Sequence, residues 1–266
     1  MNGIRAEDIS ARLGGRPVLH RVSLEAHAGT LVGLIGPNGS GKTTLLRALA
    51  GLQRCESGCV QIDGTSIEAL ARSELARRLS FLPAGTEIHW PLSVERLVAL
   101  GRIPHLDGWQ RLREADHAAI SGALEAVSAA HLIGRTVSAL STGERARVVL
   151  ARALANDPAI LLADEPVAAL DLNHQLLVLD LIRDRCKAGK TAVVVLHDLS
   201  LAARYCDRTV LLHEGRIFAD GAPSAVLVSE NLRAAYGVDG ALQYHLGVPS
   251  VVALRRLGET TIEALP

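Results

Sequence analysis

The chain has 266 residues, of which 48% are hydrophobic and 21% charged, a composition typical of a folded globular protein. Lys and Arg together number 28, as do Asp and Glu, so the net charge is zero and no overall field favours nucleic acid or an anionic membrane surface. The apolar runs are far shorter than the roughly 20 residues of a membrane-spanning helix, and the polar first residues do not resemble a secretion signal. We therefore expect a cytoplasmic protein without a nucleic-acid partner.

Short runs that are apolar at nearly every position alternate with helix-like amphipathic stretches, which predicts an α/β fold with a mainly parallel core sheet. The predicted strands are residues 31–35, 79–82, 160–163, 191–196 and 208–212. Between residues 84 and 158 helical patterns replace the strands, which predicts an inserted helical subdomain. We expect residues 220–266, with a helical stretch and a strand at 248–254, to pack on the core.

A glycine-rich loop joins the first predicted strand to a helical pattern. Its residues are Gly36, Pro37, Asn38, Gly39, Ser40, Gly41, Lys42 and Thr43, and Thr44 begins the helical run. Glycines let the backbone turn tightly, so that successive amides and the helix N-terminus point at a phosphate. In this context we expect Lys42 to reach the β- and γ-phosphates of a nucleotide and Thr43 to bind Mg²⁺. The alternative is a glycine-rich turn without a ligand.

Two adjacent carboxylates, Asp164 and Glu165, follow the predicted strand at 160–163. In a parallel sheet this strand would end beside the phosphate loop. There Asp164 could hold Mg²⁺, and Glu165 could act as general base on the attacking water. An ordinary acidic pair at the end of a strand is the alternative for this feature taken alone.

With three further segments, the chain resembles the ATP-binding subunits of ABC transporters over nearly its whole length. Residues 140–145 (LSTGER) resemble the LSGGQ signature, residues 168–171 (AALD) resemble the D-loop, and His197 matches the switch histidine. The resemblance implies a single ABC ATPase domain over residues 1–266, with the P-loop NTPase fold, an antiparallel β part beside the parallel sheet, and the helical subdomain at about 84–158.

The resemblance also implies a site shared between two copies of the chain. ATP with Mg²⁺ would lie between the phosphate loop of one copy and Ser141, Gly143 and Glu144 of the other in a head-to-tail homodimer, with Asp171 at the same interface. Within each site Glu165, His197 and Lys42 would be catalytic. The dimer would bind permease subunits at the cytoplasmic face of the membrane, in a complex with a periplasmic or extracellular binding protein.

Residues 89–94 (HWPLSV) and 99–105 (ALGRIPH) resemble importers of iron-siderophore, haem and cobalamin chelates. In that group this region meets the permease, so the resemblance makes residues 84–105, including His89 and Trp90, a candidate docking surface. The alternative is an amphipathic helix packed inside the helical subdomain.

Three positions depart from the family pattern. Ala84 stands where members usually carry the glutamine of the Mg²⁺ and water shell, and Leu13 stands where many stack an aromatic ring on adenine. Thr142 replaces a glycine of the signature. These departures leave open a nucleotide-binding regulatory subunit that hydrolyses slowly. A soluble, non-transport ABC ATPase that acts on nucleic acid or ribosomes is the third alternative, although such proteins commonly carry two ATPase domains or basic insertions.

Overall fold

The structure, a computed structural model, describes residues 3–85, 91–106 and 111–258. The strands in these residues are β1 (Ile4–Leu13), β2 (Arg16–Ala26), β3 (Leu31–Ile35), β4 (Ser57–Ile62), β5 (Thr65–Ser66), β6 (Leu79–Leu82), β7 (Ile160–Asp164), β8 (Thr191–Val195), β9 (Arg208–His213), β10 (Arg216–Gly221), β11 (Val238–His245) and β12 (Val248–Arg256). The main helices are α1 (Lys42–Leu49), α2 (Arg72–Arg78), α3 (Val94–Ala99), α4 (Glu114–Ala126), α5 (Thr142–Ala155), α6 (Leu172–Lys187), α7 (Leu199–Tyr205) and α8 (Pro223–Val226). Shorter helical turns span Leu100–His105, Ala130–Leu132, Val137–Ala139, Ser229–Asn231 and Leu232–Tyr236.

The central layer is a six-stranded sheet in the order β10-β9-β3-β8-β7-β6. All neighbouring strands are parallel except β10, which runs antiparallel to β9. Every residue of β3, β7 and β8 is buried, because helices or the second sheet cover both faces. The five strands predicted from apolar runs are all present, with ends that differ by at most one residue.

A second, antiparallel sheet in the order β2-β1-β4-β5 covers one side of the core. Helix α1 contributes Leu45, Leu46 and Leu49 to the apolar cluster that also contains residues of both sheets. The predicted antiparallel part beside a mainly parallel sheet is thus confirmed. Burying this cluster fixes α1, and with it the loop that precedes α1, between two layers of strands.

Helices α6 and α7 pack on the other face of the central sheet, and the helices between β6 and β7 extend the same apolar cluster beyond the edge strand β6. Helices α3 and α4 both pack on α5, and Val94, Leu97, Leu124 and Val148 lie fully or almost fully buried in the larger apolar cluster. Outside these helices and turns, an isolated bridge joins Ser93 to Thr136. His89 and Trp90 lie outside the described residues.

The last described part of the chain forms the hairpin β11–β12, of which the sequence predicted only a strand within β12. The hairpin packs on α7, where the amide of Val251 donates a hydrogen bond to Ser200 Oγ at 3.0 Å. Leu242 and Val251 contact the larger apolar cluster, while Tyr244 and Leu246 are exposed. Within the described residues, no helix is long and apolar enough to span a membrane.

Candidate active site

The parallel strands bring most of the predicted site residues to one edge of the central sheet. Strand β3 leads into the phosphate loop, β7 ends at Asp164, and β8, which lies between them, leads to His197. Strand β6, next to β7, leads to Ala84. The carboxyl ends of such strands are where ligands bind in open α/β sheets.

The phosphate loop is held closely against its neighbours. At Gly36, whose φ is 146°, an added Cβ would collide with the carbonyl oxygen of Leu212, and at Gly41, whose φ is 103°, it would lie 2.9 Å from Leu19 Cδ2. The amide of Gly215 also donates to the Ser40 carbonyl at 3.1 Å. Glycine is therefore required at Gly36 and Gly41 both for backbone conformation and for space.

Two polar groups of the loop are buried and directed inward. Lys42 is 6% exposed, and its Nζ donates to the carbonyl oxygens of Gly36 and Pro37 at 2.8 and 2.9 Å. Burial lowers the pKa of Lys42, and the nearby carboxylates of Glu165 and Asp164 oppose that shift. The buried hydroxyl of Ser40 has no hydrogen-bond partner among the described residues, so an oxygen acceptor from a ligand would satisfy it.

Asp164 is 1% exposed, and neither carboxylate oxygen makes a hydrogen bond of good geometry with a described residue. Burial raises the pKa of this carboxyl, while the nearby Thr43 side chain and then Lys42 lower it. A buried carboxylate without hydrogen bonds is costly unless a cation or donor compensates it. Asp164 is thus suited to bind a cation beside Thr43.

Glu165 and His197 form a direct pair, with Nε2 of His197 2.6 Å from Oε1 of Glu165. An ionised carboxylate can only accept, so Nε2 carries the hydrogen of this bond. Both side chains remain partly exposed, which leaves room for water at the carboxylate. The backbone of Glu165 has a φ of 53°, a left-handed conformation that is uncommon outside glycine.

An open cavity of about 370 Å³ lies next to Asp164 at the position of the missing glutamine. Its lining residues are Thr43, Arg47, Leu52, Phe81, Pro83, Ala84 and Asp164. Because Ala84 has no side-chain donor or acceptor, it adds no polar group to this wall. The sequence singled out Ala84, but it did not reveal the cavity or the presence of Arg47 in its lining.

The signature residues form a separate, self-capped turn at the start of α5. Ser141 Oγ accepts from the amide of Glu144 at 3.3 Å, and the Glu144 carboxylate accepts from the amide of Ser141 at 2.8 Å. Arg135 also donates to Glu144 at 3.0 Å, and these hydrogen bonds lower the pKa of the Glu144 carboxyl, with the Ser141 amide as the largest cause. This is a capping box, and it leaves the helix N-terminus facing outward from an exposed Ser141.

The D-loop residues lie beside the signature turn in the same chain. A Cβ added to Gly143 would lie 3.4 Å from the carbonyl oxygen of Ala169. Asp171 caps α6 by accepting from the amide of His174 at 2.9 Å, and its carboxylate also contacts His174 Nδ1 at 2.8 Å. The Asp171 carboxylate therefore already orders the start of α6.

Comparison with known proteins decides which family has this set of motifs. The family described as ABC transporter matches residues 19–168, which include the phosphate loop, the signature turn and the Asp164–Glu165 pair. The chain belongs to the ABC transporter family. The predicted resemblance is confirmed, and the chain is an ATPase whose hydrolysis of ATP is coupled to transport.

Curated relatives of this ABC ATPase are named hemin import ATP-binding proteins. The chain is similar to the hemin import ATP-binding protein HmuV of Streptomyces coelicolor, with 47% identity over 87% of this chain and 82% of the relative. The HmuV protein of Pseudomonas aeruginosa is 43% identical over 94% of this chain and 99% of the relative.

Solved structures support the same family. A metal-chelate type ABC transporter in an inward-facing conformation aligns with a TM-score of 0.83 and 25% identity, over 96% of this chain and 98% of the other. A dimeric bacterial ABC transporter cassette aligns with a TM-score of 0.75 and 28% identity, over 83% of this chain and 98% of the other. The fold class predicted from the sequence is confirmed.

Proposed function

We propose that this ABC ATPase powers the uptake of haem, or of a closely related metal chelate, through a membrane permease at the cytoplasmic face of the cell membrane. The observation that carries the proposal is the 47% identity to a hemin import ATP-binding protein, together with a paired Glu165 and His197 beside Lys42 and Asp164. The likeness to a metal-chelate type transporter supports the same substrate class.

The residues at the sheet edge fit ATP bound with Mg²⁺. Within the described chain no cluster of three His, Cys, Asp or Glu side chains could hold a metal, but Mg²⁺ commonly takes one or two protein oxygens together with phosphate oxygens and water. The buried carboxylate of Asp164 has no hydrogen-bond partner among the described residues and lies beside Thr43. A bound Mg²⁺ would compensate its charge. When bound, Mg²⁺ would neutralise the charge of the β- and γ-phosphates.

The chain's own side chains would divide the remaining work. Lys42 and the amides of residues 36–43 would hold the phosphates, and Glu165 would accept the proton of the attacking water. His197, bonded to Glu165, would hold that carboxylate and the γ-phosphate in line. Ser40 and Thr44 complete the loop at the start of α1.

We further propose that the signature turn completes the site in a second copy of the chain. The turn is exposed and begins a helix of 14 residues, and the acidic residue of its first turn is the capping Glu144. Such a helix end attracts a phosphate. Ser141 and Gly143 would face the γ-phosphate of the partner copy, while Glu144 keeps the turn in shape and Asp171 orders the adjacent D-loop.

We propose that the permease docks on a helical subdomain at about residues 84–158. This subdomain is inserted in a single ABC ATPase domain of residues 1–266, and residues 220–266 pack on the core of that domain. The turn after α3 exposes Leu100 and Ile103, which are 43% and 58% accessible. Exposed apolar side chains on neighbouring positions favour a protein contact. This exposure supports a docking surface that includes Leu100–His105.

Reconstitution tests the proposal. The chain and its permease would be placed in lipid vesicles with the matching binding protein, ATP would be supplied on the side of the membrane that carries the ATPase, and uptake of haem, a ferric siderophore and cobalamin would be measured. We expect ATP-dependent uptake of haem that Glu165→Gln abolishes. Uptake of only a siderophore or cobalamin would contradict the haem assignment while leaving the ATPase assignment intact.

The cavity at Ala84 favours a second candidate, a nucleotide-binding subunit with slow hydrolysis. The family glutamine would contribute an amide in this cavity, and none is present on Ala84. Phosphate release by the wild-type chain with its permease separates the two candidates. No release above that of the Glu165→Gln variant would support the regulatory subunit.

A further inference from the structure

The turn Leu100–His105 has a second face, which lies against the C-terminal end of α5. Gly101 approaches so closely that an added Cβ would collide with the carbonyl oxygen of Arg152. The two backbones are therefore in direct contact. The same turn that exposes Leu100 and Ile103 outward is packed inward on the helix that begins at the signature.

Arg102 binds the C-terminal end of α5 through its guanidinium group. Its Nη1 donates to the carbonyl oxygen of Ala155 at 2.8 Å, and its Nε donates to Asp116 Oδ1 at 2.8 Å. The Arg102 and Asp116 side chains are 13% and 6% exposed, so water screens this pair weakly. The amide of Arg113 donates to the other oxygen of Asp116 at 2.9 Å, which fixes the carboxylate.

His105 binds Asn156, the residue that follows α5. Its Nε2 lies 3.0 Å from the carbonyl oxygen and 2.9 Å from Oδ1 of Asn156. The amide nitrogen of Asn156 donates to the Ala76 carbonyl and to Ser80 Oγ, so Oδ1 is the acceptor that faces His105. Nε2 of His105 therefore carries a hydrogen and donates to both oxygens.

These contacts satisfy helix carbonyls that have no partner within the helix. The last carbonyls of an α-helix carry partial negative charge, and the permanently charged Arg102 compensates them. At the opposite end of α5, about 21 Å away for 14 residues, lies the signature turn at Ser141. A helix held firmly at one end moves as a rigid unit with whatever holds it.

We propose that Arg102 and His105 are positioning residues that fasten the signature helix to the permease-docking turn, so that displacement of the turn moves Ser141 and Gly143 relative to the partner's ATP. This inference rests on the proposed docking and dimer. Without the two side chains, α5 would keep its apolar packing but fluctuate in orientation, and the signature turn at its other end would open more often. Neither residue contacts the phosphate loop in the described structure, so ATP binding to one copy of the chain would be unaffected.

Hydrogen exchange in the isolated chain tests the fastening without a permease. In Arg102→Ala and His105→Ala we expect the amides of residues 141–145 to exchange about tenfold faster, the size of a typical coupling between distant sites. Amides of residues 42–49 should exchange as in the wild type. The His105→Gln side chain retains an amide donor for Asn156 and should restore part of the protection.

Arg77→Ala is the matched control, since Arg77 donates to Pro104 of the same turn at 3.2 Å rather than to α5. It should leave exchange at 141–145 unchanged. Faster exchange confined to residues 152–156 in Arg102→Ala, or an equal effect of Arg77→Ala, would overturn the proposal. If Arg102→Ala does not fold, Arg102→Lys and His105→Ala supply the same comparison.

The permease-bound protein supplies the functional readout. Stimulation of phosphate release by the permease should fall about tenfold in Arg102→Ala, while the ATP dissociation constant of the isolated chain stays within about twofold. Unchanged stimulation would contradict the proposal. A wild-type chain that the permease does not stimulate would instead contradict the proposed function, and the exchange experiment would still decide whether Arg102 and His105 hold the signature turn.

Discussion

The phosphate loop and the signature turn both present a helix N-terminus, but they are built in opposite ways. The loop is anchored between the two sheets, with Lys42 and Ser40 buried and Gly36 packed against Leu212. Its tip, Asn38 and Gly39, is exposed. The turn is exposed and uses Ser141 and Glu144 to cap its own helix. A loop shaped by its own core is suited to bind phosphate within one chain, whereas an exposed helix end can act on a ligand held by another.

The largest expected effect comes from removing Glu165, the proposed general base. Glu165→Gln keeps the size and the hydrogen-bonding oxygen but cannot take a proton, so phosphate release should fall at least about 100-fold. ATP binding, measured by titration of a fluorescent nucleotide analogue, should persist. Loss of less than about tenfold would show that another group accepts the proton.

A mixing experiment tests whether one ATP site combines the phosphate loop of one copy with the signature turn of another. Lys42→Ala should lose ATP binding in the single chain, whereas Gly143→Glu should keep that binding but lose hydrolysis because its carboxylate would repel the partner's γ-phosphate. Each variant alone should be inactive. An equal mixture should recover about a quarter of wild-type phosphate release, because half the dimers are mixed and each of these has one intact site.

No recovery in the mixture, with both variants folded by circular dichroism, would contradict a site shared between copies. A dilution series of the wild-type chain in each variant calibrates how much phosphate release a given number of intact sites supports. If the calibration responds but the mixture stays inactive, the result would indicate an ATP site that is complete within one chain.

A smaller effect is expected at the cavity beside the phosphate loop. Ala84→Gln would place an amide near Asp164 and Thr43, and one added hydrogen bond should tighten Mg²⁺-nucleotide binding about two- to tenfold. Ala84→Leu is the matched control because it fills similar space without a polar group. Equal changes in both variants, measured by calorimetric titration, would attribute the effect to cavity filling.

The smallest effect concerns Asp116 on α4, whose carboxylate holds Arg102 against the end of the signature helix. The amide of Arg113 and then the side chain of Arg102 hold the pKa of the Asp116 carboxyl below its ordinary range. Its contribution to stability is therefore present above the unfolded carboxyl pKa of about 4 and is lost as the pH falls through the lower folded value. Urea midpoints of wild type and Asp116→Asn should differ near pH 7 and converge in acid; a difference that persists unchanged in acid would contradict this assignment.

The central sheet could be predicted because its strands are apolar at nearly every position, a pattern set by burial on both faces. Strand β1 could not be predicted from alternating hydrophobicity. Its buried residues Ile4, Ala6, Ile9 and Ala11 are not all two positions apart. The register shifts around Asp8, which has a φ of 49°, explain the break. The hairpin strand β11 was missed because its outer side chains mix apolar and polar residues.

The phosphate loop, the Asp164–Glu165 pair and His197 could also be placed from the sequence, because each follows a strand whose end lies at the same edge of the sheet. The signature turn follows no strand, so its place came from the resemblance alone. The motifs did not reveal that Glu144 is bonded to Arg135, or that Arg102 reaches Ala155, 53 residues further along the chain. Such contacts depend on how helices pack, which local patterns do not encode. The resemblance suggested a docking surface at residues 84–105, and the structure separates an outer face from an inner one at Leu100–His105.

The left-handed backbone at Glu165 has an evolutionary consequence. A non-glycine residue in this conformation costs about 1–3 kcal/mol, so a glycine there would relax the turn. Glycine would relieve this strain, although its greater freedom in the unfolded chain and the lost bond to His197 would offset part of the gain, and it would remove the proposed general base. At position 165, stability and the proposed ATP hydrolysis therefore favour different residues.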